Sequence, residues 1–183
     1  VGATVVMSST LPLATCGAGD GAFCAFVHYV DNAHVRVGVE GRGTGPIFSE
    51  PFPFDYNQPL DVVVSHPSLY PAGNPQLKDY SPAQFAKLRD RVRLAVGDRW
   101  LVTAPVPAAA TAAAGAILFD RNGNGAGYPS PGFNGEILRV QRVPRDGWPI
   151  PPGNPEAATA PGAAGPLEFT VQLPAGLTGR SQP

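Results

Sequence analysis

The stretch Ala22-Phe-Cys-Ala-Phe-Val-His-Tyr-Val30, then Asp31-Asn32-Ala33, then His34-Val-Arg-Val-Gly-Val-Glu40 decides the fold class. Its first run is rich in aromatic and β-branched residues, which suit a pleated surface. In the second, Val35, Val37 and Val39 alternate with His34, Arg36 and Glu40. Asp31 and Asn32 between them are turn formers. The pattern predicts an antiparallel hairpin with one apolar and one polar face.

The same punctuation recurs along the chain. Pro51 and Pro53 make Ile47–Phe54 an edge strand or extended loop. Leu60–Ser65 is a compact strand, and residues 66–80, with three prolines and a glycine, form a loop. Ser81-Pro82 opens a short helix, with Ser as N-cap, Pro at the first helical position and Phe85 and Leu88 on one face, ending near Asp90. Val92–Val96, a Gly97-Asp98 turn and Trp100–Thr103 form a second hairpin. Further strands are expected at Ala3–Met7, Ala116–Phe119, Glu136–Val143 and Leu167–Leu173. Pro105–Gly115 reads as an extended Ala/Pro connection.

With 183 residues, the chain is long enough for one domain with a core of its own. The expected layout is a sandwich over residues 1–143, a Pro/Gly-rich strap over 144–165 and an added strand within 166–183. Phe169-Thr-Val-Gln-Leu echoes Ala3-Thr-Val-Val-Met, so that strand either completes the sheet or opens a next repeat. The 22 glycines and 22 prolines fall mostly between apolar runs. Together these features predict an all-β, two-sheet antiparallel β-sandwich of the jelly-roll kind with one short helix.

Charge excludes one partner class. Net charge is −1, from 13 basic and 14 acidic residues, so no basic field awaits nucleic acid. The densest basic run, Lys87, Arg89, Arg91, Arg93 and Arg99, is diluted by Asp90 and Asp98. Arg91 and Arg93, alternating with Val92, Leu94 and Val96, read as the wet face of a strand, with a patch for an anionic ligand as the alternative. No apolar run is long enough to cross a membrane. The chain begins at Val1 and shows no signal peptide, which predicts a processed protein or a piece of a longer one.

Residues 91–143 carry a family pattern. It runs Val92-Arg-Leu-Ala-Val-Gly97-Asp-Arg-Trp100-Leu-Val, then Ala116-Ile-Leu-Phe-Asp120-Arg-Asn122, then Phe133-Asn-Gly135-Glu-Ile-Leu-Arg-Val-Gln-Arg-Val143. This resembles the second half of laminin-G-like domains of the concanavalin A-like lectin and glucanase superfamily. The resemblance implies a laminin-G-like sandwich. It leaves function open, because that architecture hosts lectins, glycosidases, adhesion modules and spacers alike. Glucanases of the superfamily carry a Glu-x-Asp-x-x-Glu strand, whose alternation sets acid and nucleophile roughly 5–5.5 Å apart on one face. This sequence has no such triplet, and no catalytic residue is expected.

Asp120-Arg-Asn122-Gly-Asn124-Gly125 matches the first half of a calcium loop, D-x-[DN]-x-[DN]-G. The twelfth position is Pro131 instead of a bidentate Glu. Asp120, Asn122 and Asn124 are therefore candidate calcium ligands only for a shallower site, and calcium is the one cofactor left open. The competing reading is a turn in which Asn and Gly tolerate left-handed backbone. His28 and His34 flank the first hairpin turn as ordinary polar-face residues or a metal pair. Cys16 and Cys24 fit no zinc spacing. They read either as a disulfide closing a short loop, adding ~2–3 kcal/mol, or as two small buried residues.

Trp100 and Tyr128, with Asn122 and Asn124 nearby, are the candidate ligand-binding residues, since exposed aromatics stack on sugars. Trp148, inside the strap, is read as its anchor. The expected role is a non-catalytic recognition or adhesion module for a polysaccharide or surface glycan, in a larger extracytoplasmic protein. The alternatives are a ligand-free spacer in a tandem array and, more remotely, a glycoside hydrolase with an atypical site. Oligomeric state is not legible.

Overall fold

The first hairpin forms as β2 (Phe23–Tyr29) and β3 (His34–Gly41). Their register runs from Phe23 opposite Gly41 to Tyr29 opposite Val35. Asp31 shapes the turn, its carboxylate accepting the Ala33 N–H at 2.7 Å and pairing with His34 Nδ1 at 2.9 Å. The computed structural model describes residues 10–16, 22–41, 45–70, 72–105, 117–123, 125–142 and 164–174.

The strand preceding this hairpin is β1 (Thr10–Cys16). The sequence places its opening strand at Ala3–Met7, outside the described residues. Pro12 hides β1, because proline removes a ladder donor. The structure tolerates it through a register shift between Pro12 and Ala14. On its other side β1 pairs with β9 (Leu118–Phe119) only at Ala14 and Thr15, away from Pro12. The first sheet then has the order β4-β3-β2-β1-β9, with β4 (Ile47–Phe48) and β5 (Phe52–Pro53) as two-residue edge pieces on β3. Very short, proline-bearing edges resist pairing with other chains.

The second sheet has the order β10-β11-β6-β7-β8, from β6 (Leu60–Ser65), β7 (Arg91–Val96), β8 (Arg99–Pro105), β10 (Glu136–Arg142) and β11 (Leu167–Gln172). The β7–β8 turn needs Gly97, whose φ is +55°. Within each sheet, strands next in sequence lie side by side, except that β4 and β5 both pair with β3. The chain crosses between sheets from β5 to β6, from β8 to β9 and from β9 to β10. The one α-helix among the described residues, α1 (Pro82–Leu88), is capped as its sequence implies: Ser81 accepts the Gln84 N–H while the Gln84 side chain returns to the Ser81 N–H. It ends before Asp90. Two further turns of tighter helix, Pro67–Leu69 and Pro75–Leu77, occupy the stretch read as a plain loop.

Period-2 alternation builds the core. Leu11, Leu13, Phe23, Val27, Val35 and Val37 meet Val62, Val64, Leu94, Phe169 and Val171 between the sheets, all essentially inaccessible. β11 sits between β10 and β6, with its apolar residues inside and Glu168, Thr170 and Gln172 facing outward. Leu167–Gln172 is thus an integral strand of this sandwich. On its outer side Thr170 Oγ1 donates to Asp61 at 2.6 Å, and Arg139 and Gln141 both reach Glu168. Residues 106–116, residues 143–163 with Trp148 and so nearly all of the 144–165 strap, and Asn124 lie outside the described residues.

Truncating Phe169 to Ala is expected to cost about 3–5 kcal/mol, while Glu168→Ala costs under about 1 kcal/mol. Urea unfolding of the two variants checks this, and similar losses for both would remove β11 from the core.

Candidate functional site

The polar face expected for the first hairpin is largely covered on β2, while His34, Arg36 and Glu40 of β3 stay partly exposed. Every residue of β2 is buried, including Cys24, Phe26 and His28 on the side away from the second sheet. What covers that side is the Gly/Asn-rich loop after β9, residues 120–133, whose ends are joined by a bridge between Arg121 and Gly132. Such a closed loop is an Ω-loop.

Named contacts fasten the loop to the sheet. Asp120 N–H donates to the Leu13 carbonyl at 3.2 Å, and Ser130 N–H to the Thr10 carbonyl at 2.9 Å. Thr15 Oγ1 donates to the Arg121 carbonyl at 2.6 Å and accepts the Gly123 N–H at 3.1 Å. The Glu40 carboxylate accepts the N–H groups of Gly127, at 3.3 Å, and Tyr128, at 2.9 Å. A carboxylate on backbone donors makes stronger bonds than a neutral acceptor.

Two of the three residues singled out for calcium do different work here. Asn122 organises the loop from within: its side chain donates to the carbonyls of Ala126 and Pro129 and accepts the Ala126 N–H at 2.9 Å. Asp120 takes a left-handed backbone, φ +59°, and its carboxylate pairs with Arg121 at 3.2 Å. Among the described residues no three His, Cys, Asp or Glu come together as a metal-binding group.

Tyr128 is the loop's plug. Its ring lies 5.0 Å from Phe48, 5.7 Å from Phe26 and 5.7 Å from His28, and Phe26 and Phe48 are themselves edge to face at 5.5 Å. Gly38 makes room, because a Cβ there would run into the Phe26 ring. Arg36 lies over the Phe48 ring at 3.7 Å. At the rim, Tyr128 and Ile47 are each 38% exposed.

His28 Nδ1 shares contacts with Thr10 Oγ1 at 2.8 Å and Tyr128 Oη at 3.4 Å. Burial, and then the Arg36 charge, push its pKa down to about 4, so it is neutral near pH 7. His34 stays apart, on Asp31, and the register sets His28 opposite Arg36. His66 lies in the core stacked on Phe23 at 3.8 Å, and burial lowers its pKa to about 3.

The disulfide expected between Cys16 and Cys24 is absent: Cys24 is a free, buried thiol. A bridge needs partners that face each other, and the residue opposite Cys24 is Thr15, while Cys16 stands opposite Phe23. Burial drives the Cys24 pKa up to about 12, so it packs as a small apolar group with no nucleophilic character.

The candidate ligand residues are not brought together. Tyr128 and Asn122 share the loop over the first sheet. Trp100 packs on Val63 and Ala95 of the second sheet. Sequence reasoning missed Phe26, Phe48, Arg36 and Glu40 as parts of one site. The alternation of Arg36 and Glu40 with the valines marked their shared face, but nothing local indicated the loop that meets it. No known protein family, no curated protein and no solved structure matches this chain.

A histidine held neutral by folding supports stability fully above its unfolded pKa, near 6.5, and loses that support as pH falls towards its folded value. For His28 and His66 this window runs from about 6.5 down to about 4 and about 3. The melting temperature is therefore expected to fall between about pH 7 and pH 4.5, and less steeply in His28→Gln. Circular dichroism melts across that range check it, and an unchanged slope in the variant would contradict the placement of His28.

Proposed function

We propose that this chain is a non-catalytic recognition module for carbohydrate, working outside the cytoplasm in a larger secreted or surface protein. One observation supports the reading above others: Tyr128, packed on Phe48, Phe26 and His28, is held by backbone contacts at the surface with 38% of its area exposed. A sugar's apolar face packs on such a ring with little loss of side-chain freedom, since the ring is already fixed. The ionisable groups nearby suit binding more than chemistry. Glu40 is committed to two backbone donors, His28 is neutral and Cys24 is protonated. The laminin-G-like, jelly-roll relation belongs to the same proposal and rests on the strand-and-turn pattern of residues 91–143.

The second reading is a ligand-free spacer. It draws on the self-satisfied outer side of the second sheet, where Asp61, Thr170, Arg139, Glu168 and Gln141 hydrogen-bond to one another.

A glycan array probed with the full chain, once in calcium and once in chelator, separates these readings. Binding is expected, with Tyr128→Ala weakening it roughly tenfold. Loss in Trp100→Ala but not in Tyr128→Ala would move the site to the second sheet. Equal signals with and without calcium make the 120–133 loop a clasp, and loss in chelator restores Asp120 as a ligand. Silence in both conditions makes the chain a spacer.

A further inference from the structure

Among the described residues, four arginines rest on carboxylates: Arg91 and Arg93 on Asp90, Arg121 on Asp120, and Arg139 on Glu168. Arg36 has no such partner among them. Its guanidinium lies over the Phe48 ring, and its Nε is buried without an acceptor. A guanidinium half withdrawn from water and left without an anion is costly, because a charged donor so placed forgoes the bonds it would make in water.

The carboxylate that could have paired with it is diverted. Glu40 stands on the same side of β3, two positions beyond Gly38, but the Phe26 ring fills the space over Gly38 and Glu40 is bound to the Gly127 and Tyr128 N–H groups. Across the strand pair, Arg36 faces His28, which is neutral and offers no negative charge. The corner therefore carries one positive charge beside two aromatic rings.

We propose that the corner formed by Arg36, Phe48 and Tyr128 binds a uronate unit of an acidic polysaccharide, the guanidinium taking the carboxylate and the Tyr128 ring taking the sugar face. This rests on the carbohydrate reading above and specifies its ligand. The guanidinium centre sits 3.7 Å from the centroid of the Phe48 ring and Arg36 is half-buried, so its paired N–H donors suit a two-pronged bond to a carboxylate. A single cation in a chain of net charge −1 suits one carboxylate per site; a densely sulfated polymer would call for several cations.

The test is calorimetric titration of the full chain with oligomers of galacturonate, glucuronate and mannuronate, each beside its neutral methyl ester. The acid form is expected to bind roughly tenfold or more tightly than the ester, with the gap narrowing in high salt. Arg36→Gln removes the gap, Arg36→Lys restores part of it, and Arg91→Gln, the same charge change on the other sheet, keeps it. Thermal melts confirm that each variant is folded. Equal binding of acid and ester by the unaltered chain overturns the inference, as does a gap that survives Arg36→Gln. Binding of neutral glycans alone overturns it and leaves the carbohydrate reading standing. Binding of no glycan removes both.

Discussion

A strand that is apolar on both faces must be covered on both faces, and β2 is such a strand. Phe23, Ala25, Val27 and Tyr29 look into the space between the sheets, while Cys24, Phe26 and His28 look the other way. Hydrophobic burial on the inner side is met by the second sheet, as in any sandwich. Among the described residues no third sheet covers the outer side, and the loop from Asp120 to Phe133 takes its place. Most of what distinguishes this molecule follows from that second cover.

A loop can stand in for a layer only if its backbone groups are satisfied, since an unpaired buried N–H or C=O costs what a packed side chain contributes. Asn122 satisfies the loop from inside, and Thr15, Glu40, Thr10 and Leu13 satisfy it from the sheet. Glu40 is thereby withdrawn from Arg36. The same cover sets the protonation of the groups beneath it, leaving Cys24 a thiol and His28 a neutral imidazole. Electrostatics at the corner are thus a by-product of how a two-sided strand is roofed.

Much of the fold was legible. The alternation in Val35, Val37 and Val39 placed β3, the Asp31-Asn32 turn placed its hairpin, Gly97-Asp98 placed the second, and Ser81-Pro82 placed the helix start. Each is a local signal acting over a few residues. Where local signals misled, a distant partner had intervened. The sequence places the opening strand at Ala3–Met7, whereas β1 runs Thr10–Cys16 and pairs with β9 only at Ala14 and Thr15, beyond Pro12. The short loop between Cys16 and Cys24 suggested that the sulfurs meet, whereas register set Thr15 opposite Cys24. Of the two readings of Asp120-Arg-Asn122, ligand spacing or turn, the Asn122 hydrogen bonds to its own loop fit the turn.

The sequence by itself determined the β class, the two hairpins, the helix cap and the near-neutral charge, because each depends on side-chain period, turn chemistry or composition. Only the tertiary structure decided that β11 lies between β10 and β6, that residues 120–133 roof the first sheet, and that Phe48 meets both Tyr128 and Arg36. The roof contacts and the β6–β11 pairing join segments separated by some 80 to 120 positions. Such contacts carry no local period; they are selected by which covering satisfies the most backbone groups and buries the most apolar surface at once.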